Sequence, residues 1–274
     1  MNVISNFRNK KIVEYMRPGQ KVLILFDNHG MGDCVMFLPL YYRLKGMFKD
    51  VSFNLKCNVG QEIFEEINDK EFDLCFKIEF PEFYFKKDYG PFDGMSKPEI
   101  CAVYELGIPF DENVEFTWKP KEIIESGISV DDKTIGLAFQ VTSNPSKSVS
   151  EDCAYIIWNM VKEAGYTPLE VHFEHSLGDL RNTKYGFIDN TCRGYKPSIS
   201  NVIDVINKCK GFIGVNTGTF CMATSMKNGN TLHMLKRFHF YPGYKRFNPV
   251  QEIDCRSICN IDKNIFNEYI ERLK

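Results

Sequence analysis

The sequence predicts an α/β fold built from two Rossmann-like domains that face a cleft. Short apolar runs alternate with longer amphipathic runs along the chain, which is typical of alternating strands and helices. A polar segment at residues 110–133 separates two stretches that both show this alternation. Each stretch is about the size of an ordinary domain. We therefore expect an N-terminal domain at 1–125 and a C-terminal domain at 126–274.

Composition places the chain among globular proteins. The chain has 274 residues, of which 43% are hydrophobic, and a formal net charge of -2. This charge gives no global reason to expect binding to nucleic acid or to a membrane surface. No run approaches the ~18 uninterrupted apolar residues of a spanning helix, and the N-terminus lacks the apolar core of a signal peptide. We expect a soluble, cytoplasmic protein with no integral membrane segment.

The ten cysteines are scattered through the chain, and no Cys-x-x-Cys motif occurs. Cys255 and Cys259 are the closest pair, and no second pair with metal-ligand spacing accompanies them. Most cysteines lie inside apolar runs, which is typical of free thiols that pack as small hydrophobic side chains. Together with the absence of an acidic cluster with hard-metal spacing, this pattern predicts no metal site.

The first half of the chain predicts three strands and two helices. The predicted strands are Lys21–Phe26, Val51–Cys57 and Phe72–Ile78, and the predicted helices are Gln61–Ile67 and Lys97–Leu106. Gly107 and Pro109 follow the second helix and are typical of a helix end.

The second half repeats the alternation. The predicted strands are Thr134–Phe139, Pro168–Phe173 and Gly211–Val215, and the predicted helices are Ser150–Ala164, Ser198–Asn207, one that starts after Gly218, and Ile261–Leu273. The last of these helices carries its apolar residues on one face. A ligand would bind in a cleft between two such domains.

The stretch DNHGMGDCVMFLPLYYRLKGMF follows the first predicted strand. Gly30 and Gly32 are not followed by the third glycine of a dinucleotide fingerprint, nor by the Gly-Lys-Ser/Thr of a P-loop. Asp33 would repel a phosphate at this position. Two interpretations stay open: Asp33 caps the next helix, or it is a catalytic carboxylate at the carboxyl end of a strand, where open α/β sheets bind ligands.

The segment from Gly32 to Pro39, Gly-Asp-x-x-x-x-Leu-Pro, resembles the N-terminal signature of glycosyltransferase family 9. This family contains the ADP-heptose:lipopolysaccharide heptosyltransferases. The resemblance implies a two-domain glycosyltransferase-B fold and an inverting, metal-independent reaction. It also implies that Asp33 is the general base and that Gly30 and Gly32 form a loop on the acceptor side.

The second half resembles the same family at the stretch TIGLAFQVTSNPSK, which ends at Lys147. In the family this loop contacts the phosphates of the donor. Thr142 and Ser143 offer hydroxyl groups, and Lys147 offers a positive charge. A solvated turn is the alternative interpretation, because Asn-Pro is a strong turn signal.

The string GFIGVNTGT, which ends at Thr219, resembles the family's Asp-Thr-Gly-x-x-His turn at the start of a helix. A helix N-terminus presents free N–H groups and partial positive charge, which suit a diphosphate. Asn216, Thr217, Gly218 and Thr219 are therefore expected to bind the donor. The chain departs from the family pattern twice, because Asn216 replaces the aspartate and Cys221 replaces the histidine.

Glu174 is expected to bond a ribose hydroxyl of the donor, as a glutamate near this place does in the family. We assign no role to the five histidines, since a lone histidine is usually structural or exposed. They are His29, His172, His175, His233 and His239.

A basic and aromatic stretch lies near residues 236–247. Its cations are Lys236, Arg237, Lys245 and Arg246. Cations interleaved with aromatic side chains suit a polyanionic acceptor such as nucleic acid, and a solvated loop is the alternative.

These observations favour a glycosyltransferase that moves a hexosyl, heptosyl or pentosyl group from a nucleotide-diphosphate sugar to a glycan or lipopolysaccharide-like hydroxyl, without a further cofactor. Two alternatives stay open. One is a glycosyltransferase that acts on a hydroxylated base of DNA. The other is a non-catalytic sugar-nucleotide-binding protein, suggested by Asn216 and Cys221 but opposed by Asp33.

Overall fold

The computed structural model of the chain describes most of its helices and strands. The residues it describes are 2–4 (backbone), 11–26, 30–57, 61, 67–78, 106–108, 120, 122–141, 145–171, 185, 187–188, 198–227, 230–236 and 251–274. The chain divides into two compact units: the first includes residues 1–118, and the second includes residues 119–240 and 248–274.

The first unit is built on a parallel sheet of four strands. These are β1 (Asn2–Ile4), β2 (Lys21–Phe26), β3 (Ser52–Cys57) and β4 (Leu74–Lys77), and their spatial order is β1-β4-β2-β3. β2 therefore lies inside the sheet, paired in parallel with β3 on one side and with β4 on the other. Helix α1 (Met31–Met47) connects β2 to β3. Burial on both faces explains why β2 is almost continuously apolar.

Helix α1 packs on this sheet through a broad apolar face. Phe37 stacks on Phe26 of β2, with ring centroids 4.6 Å apart. The hydroxyl of Tyr41 is buried and donates a hydrogen bond of 3.0 Å to the carbonyl of Phe53. Pro39 lies inside the helix and removes one backbone donor, but the helix continues to Met47. The packing of α1 on β2 and β3 fixes where the helix begins.

The second unit is built on a parallel sheet of five strands. These are β5 (Thr134–Ala138), β6 (Thr167–Glu170), β7 (Gly211–Gly214), β8 (Thr231–Leu235) and β9 (Gln251–Asp254), in the order β6-β5-β7-β8-β9. Its helices are α2 (Glu151–Glu163), α3 (Ile199–Lys208), α4 (Gly218–Met226) and α5 (Lys263–Leu273). The two sheets confirm the predicted fold class of paired Rossmann-like units, and no strand pairing between described residues joins them.

The two faces of the second sheet are covered differently. On one face Ile135, Leu137 and Ile213 form a core with Trp158 of α2 and Tyr269 of α5. On the other face the glycines of the strands allow rings to lie against the sheet. A Cβ at Gly136 would lie 2.5 Å from the ring of Phe212, and a Cβ at Gly214 would lie 2.9 Å from the ring of Phe220. Gly214 therefore lets α4 approach β7 closely, while Gly136 leaves room for the ring of Phe212 on the neighbouring strand.

Most predicted elements lie within a few residues of the observed ones. The strand Lys21–Phe26 is confirmed at both ends, and the long second-half helices differ by one or two residues at their ends. Strands β1, β8 and β9 were not among the predicted elements. The first-half helices predicted at 61–67 and 97–106 lie largely outside the described residues.

The described residues contain neither a membrane-spanning helix nor a cluster of metal ligands. No helix there combines the length and apolar character needed to cross a bilayer. No group of three or more histidine, cysteine, aspartate or glutamate side chains in the described ranges is placed to hold a metal ion.

Candidate functional site

Each sheet has a point where the strand order reverses, and the candidate residues lie at these points. In the second sheet β5 has β6 on one side and β7 on the other. In the first sheet β2 has β3 on one side and β4 on the other. Open α/β sheets bind ligands outside the carboxyl ends of their strands at such a switch point. The segments after β2, β5 and β7 are therefore the places to examine.

Helix α4 begins directly after β7, and its N-terminus has the features of an anion site. The side chain of Thr217 caps the helix by accepting a hydrogen bond of 3.1 Å from the backbone N–H of Phe220. The N–H of Cys221 donates to the carbonyl of Thr217 at 2.9 Å. The N–H groups of Gly218 and Thr219 lie in the first turn, where no intrahelical acceptor exists. No acidic side chain lies in this turn, so its positive end suits an anion.

The side chains around this helix end differ in exposure. Asn216, Thr217 and Gly218 are half-buried, whereas Thr219 is completely buried. The hydroxyl of Thr219 has no hydrogen-bond partner among the described residues. Because the whole residue is enclosed, the first-turn residue with exposed surface at the helix end is Gly218. Both threonines were expected to bind the donor, and the structure shows that the side chain of Thr217 caps the helix.

The segment after β5 places Lys147 at the same edge of the sheet. Lys147 ends a short 3-10 turn, Pro145–Lys147, and is half-buried. Two hydrogen bonds close this loop: Val149 N–H donates to the carbonyl of Phe139 at 3.1 Å, and Val141 N–H donates to Ser148 Oγ at 2.8 Å. Since β5 and β7 are paired neighbours, the turn that ends at Lys147 and the start of α4 leave the sheet side by side.

Three of the predicted donor-binding residues lie outside the described residues. They are Thr142, Ser143 and Glu174. The described part of the predicted donor site is Lys147 together with the helix end formed by residues 216–219.

In the first unit, Asp33 lies in the first turn of α1. The N-cap of α1 is Gly30, which has extended backbone angles (φ -72°, ψ 162°) and no side-chain cap. The N–H of Asp33 donates to the carbonyl of Gly30 at 3.0 Å, and a Cβ on Gly30 would lie 3.9 Å from Asp33 Oδ2. The carboxylate therefore lies beside the first turn of a helix that starts just beyond the carboxyl end of β2.

This geometry corrects two predictions. Gly32 was assigned to a loop with Gly30, but it is a helical residue, because helix hydrogen bonding already begins at Gly30. The interpretation of Asp33 as the helix cap is also wrong, because the cap position belongs to Gly30. Asp33 is the third helical residue, where a negative charge is favoured by the helix dipole.

The basic stretch is described at one of its four cations. Lys236 follows β8, and its Nζ donates to the carbonyl of Arg256 at 3.4 Å. Arg237, Lys245 and Arg246 lie outside the described residues. Arg256 also pairs with Asp254, with 2.6 Å between Nη2 and Oδ2, and its hydrogen bonds lower the pKa of Asp254 to about 2.

The sequence analysis missed a buried ion-pair candidate in the second unit. His233 of β8 is 1% exposed, and its Nδ1 lies 3.0 Å from Glu252 Oε1 of β9. Its ring also lies against Phe220 of α4, with centroids 5.5 Å apart. Recognising β8 and β9 as neighbouring strands would have revealed this pair, since parallel pairing puts the two residues side by side on one face.

Comparison with known proteins adds a structural likeness. No family model matches the chain, and no curated protein matches it by sequence. ADP-heptose lipopolysaccharide heptosyltransferase II of E. coli superposes with a TM-score of 0.61 at 12% identity, covering 92% of this chain and 98% of that chain. A glycosyltransferase family 9 protein of Veillonella parvula gives 0.55 at 11% identity, covering 85% of each chain.

The chain has the heptosyltransferase fold. The third comparison agrees: TibC, a dodecameric iron-containing heptosyltransferase of enterotoxigenic E. coli, was solved in complex with ADP-D-beta-D-heptose. It superposes with a TM-score of 0.61 at 15% identity, covering 93% of this chain and 78% of that chain. The predicted glycosyltransferase-B fold class is thus confirmed. With identities this low the chain is a divergent example of the heptosyltransferase fold, and the likeness extends to the fold alone.

Proposed function

We propose that the chain is a glycosyltransferase that moves a sugar from a nucleotide-diphosphate sugar to an acceptor hydroxyl, with inversion and without a metal. The observation that carries this proposal is a pair of helix ends at two switch points. The end of α4 has a threonine cap and no acid in its first turn. The end of α1 has Asp33 in its first turn. One end suits a diphosphate, and the other offers a base.

In the proposed reaction, Asp33 takes the proton from the acceptor hydroxyl while that oxygen attacks the anomeric carbon. The bond from the anomeric carbon to the diphosphate oxygen breaks, and its electron pair stays on the nucleoside diphosphate. General-base help of this kind contributes roughly 10²–10⁴-fold. The first unit (1–125 in the predicted division) would then hold the acceptor, and the second unit (126–274) the donor.

The leaving diphosphate would be stabilised by groups at the carboxyl edge of the second sheet. The N–H group of Gly218 would donate to its oxygens, and Lys147 would add a positive charge. Thr142 and Ser143 are proposed to add hydroxyl donors in the same loop. Glu174 is proposed to bond the ribose.

Asn216 is consistent with donor binding despite its departure from the family pattern. An amide keeps hydrogen-bonding capacity beside the phosphates and removes a negative charge that would repel them. Cys221 is buried within α4. Its thiol therefore does not replace the cationic side chain that a histidine would offer to the phosphates. The donor diphosphate would therefore depend on Lys147 and the backbone of α4.

ADP is the first ligand to test, because TibC was solved with ADP-D-beta-D-heptose and the heptosyltransferase WaaC of E. coli with ADP. Thermal unfolding should be followed with ADP, UDP, GDP and CDP, and with the four matching nucleosides. A ligand at ~100 times its Kd adds ~2.7 kcal/mol to the free energy of unfolding.

We expect at least one nucleoside diphosphate to raise Tm by several degrees and its nucleoside to raise it less. The matching nucleotide sugars should then release nucleoside diphosphate in the presence of a glycan acceptor. If none of the four diphosphates stabilised the protein, the donor site proposed at α4 would be wrong. Binding without release under any acceptor would favour the non-catalytic alternative.

A further inference from the structure

A buried histidine–glutamate pair lies on the face of the second sheet that carries α4. His233 and Glu252 occupy the same register on the neighbouring parallel strands β8 and β9. His233 is 1% exposed, the side chain of Glu252 is 13% exposed, and Nδ1 lies 3.0 Å from Oε1. An ionised carboxylate only accepts hydrogen bonds, so an ionised Glu252 favours the form of His233 that carries a proton on Nδ1.

Phe220 connects this pair to the proposed diphosphate site. Its ring lies against the imidazole of His233, with centroids 5.5 Å apart and 31° between the planes. The ring also packs on β7 at Gly214. The backbone N–H of the same residue donates to Oγ1 of the cap residue Thr217. Phe220 therefore contacts both His233, through its ring, and the cap of α4, through its backbone N–H.

Few charged groups face His233 from the described elements that pack on it. β7 presents Gly214, which is paired with His233. α4 carries no charged side chain from Gly218 to Met226, and the thiol of Cys221 is its titratable group. β9 presents Glu252. In the described part of the chain, Glu252 is the carboxylate that stabilises an imidazolium at His233.

We propose that His233 is a positioning residue for the donor diphosphate, and that its imidazole gains a proton when the diphosphate binds at α4. This inference rests on the function proposed above. His233 would not contact the ligand but would act through Phe220 and through its charge. A diphosphate bound at the start of α4 would favour the imidazolium, since unit charges about 10 Å apart in protein surroundings change a binding constant by roughly tenfold.

The direction of the pH dependence follows from this coupling. The bound anion raises the proton affinity of His233, so by linkage ADP binds more tightly when His233 is protonated. Affinity should rise as pH falls through the histidine range. Glu252→Gln removes the carboxylate that favours the imidazolium, so the rise should move to lower pH in that variant.

The test is calorimetric titration of the full chain with ADP, from about pH 5.5 to 8.5, in two buffers of different ionisation enthalpy. The proteins are wild type, His233→Gln, Glu252→Gln and the control Thr231→Val. Thr231 lies on the same strand and face as His233 but at its amino end, and it does not titrate. The titration of ADP itself is common to all four proteins and cancels when they are compared.

We expect wild type to bind ADP about tenfold more tightly than His233→Gln near pH 6 and equally well near pH 8.5. Wild type should also take up more protons on binding. Thr231→Val should follow wild type at every pH. Equal ADP affinity and equal proton uptake in wild type and His233→Gln at every pH would overturn the inference.

Two further outcomes separate this inference from the proposed function. If wild type binds neither ADP nor ADP-sugars, both the proposed donor site and this inference are rejected. If wild type binds ADP but its ADP affinity depends on pH as that of His233→Gln does, only the inference is rejected. Should His233→Gln fail to fold, the Glu252→Gln variant provides the test, because Glu252 lies on the edge strand β9. An unchanged pH dependence of ADP affinity in Glu252→Gln would reject the coupling.

Discussion

Helices α1 and α4 both begin beyond an inner strand of their sheets, but their N-terminal turns differ in charge. Each begins just beyond the carboxyl end of an inner strand, at a point where strand order reverses. At α1 the cap is Gly30, without a side-chain bond, and Asp33 lies in the first turn. At α4 the cap is Thr217, and the first turn has no acid. The fold provides two partly positive helix ends, and we propose that the carboxylate of Asp33 disfavours phosphate at α1, which leaves α4 as the phosphate site.

The two helices also differ in how firmly they are enclosed. Every residue of α4 from Thr219 to Ser225 is buried, and the half-buried residues lie at its N-terminus. α1 is longer and keeps an exposed stripe that includes Tyr42. A short helix enclosed on all sides offers a rigid end, which lowers the cost of ordering backbone donors around a ligand. The acid on α1 instead lies on a half-exposed turn that an acceptor could reach.

The largest expected effect comes from removing the charge at α1. Asp33→Asn should lower turnover by about 10²–10⁴-fold and leave ADP affinity unchanged, because the two roles belong to different helices. Stability should fall by about 0.3–1 kcal/mol at most, since only a favourable dipole interaction is lost. Turnover, ADP affinity and Tm are measured on one preparation.

Asp50→Asn is the matched control for this change, because Asp50 is an exposed acid of the same unit. It should leave all three quantities unchanged. Near-normal turnover in Asp33→Asn would show that α1 does not carry the base.

The next largest effect comes from giving α4 the charge that α1 has. Gly218→Asp places a carboxylate at the first helical position, where two like charges ~4 Å apart repel by up to ~4 kcal/mol at an effective dielectric constant of 20. ADP affinity should fall by about a hundredfold or more, while the helix itself tolerates the acid. Calorimetric titration with ADP measures the loss.

Gly218→Ala separates the charge from the added Cβ. It should weaken ADP binding by less than Gly218→Asp does. If the two variants bound ADP equally well, no phosphate would lie at this helix end.

Removing the cation beside α4 should have a smaller effect. Lys147→Ala should weaken ADP binding by about tenfold, because one charge-assisted contact contributes roughly 1.5–3 kcal/mol when buried and less when half-exposed. Adenosine binding should change little, since the charge acts on phosphate. Lys263→Ala, an exposed lysine of the same unit, is the control and should change neither affinity. Equal losses for ADP and adenosine would exclude Lys147 from phosphate binding.

The smallest expected effect concerns the two caps. Thr217→Ala removes the bond to Phe220 N–H and should lower the free energy of unfolding by about 1 kcal/mol. Gly30→Ser adds a cap oxygen where the backbone already has cap geometry, so it should raise that free energy by a few tenths of a kcal/mol. Urea unfolding of both variants checks the signs. A stabilised Thr217→Ala protein would contradict the capping geometry at α4.

The fold was largely predictable because buried faces of helices and strands require apolar residues at regular spacing in the sequence. The strand Lys21–Phe26 and the helix Glu151–Glu163 have strong patterns, so their predicted bounds are close to the observed ones. β9 was not predicted, because three of its four side chains are polar or charged and it shows no apolar run. Gly32 was wrongly assigned to a loop because Gly30 and Gly32 look alike in sequence, although Gly30 caps the helix and Gly32 lies inside it.

The candidate site was predictable where a sequence motif directly follows the carboxyl end of a strand. Asp33, Lys147 and Thr217 each follow such an end, and the structure places them at the switch points of the two sheets. The pair of His233 and Glu252 was not predictable, because it depends on which strands are neighbours. No sequence motif links two residues at this separation.

The most direct test of the account is the location of the diphosphate in a crystal structure of the chain with ADP bound. We expect phosphate oxygens within hydrogen-bond distance of the backbone N–H of Gly218 at the start of α4, with Lys147 nearby. We also expect that Asp33 makes no contact with either phosphate. A diphosphate bound instead at the start of α1, beside Gly30 and Asp33, would contradict the division of roles between the two helix ends.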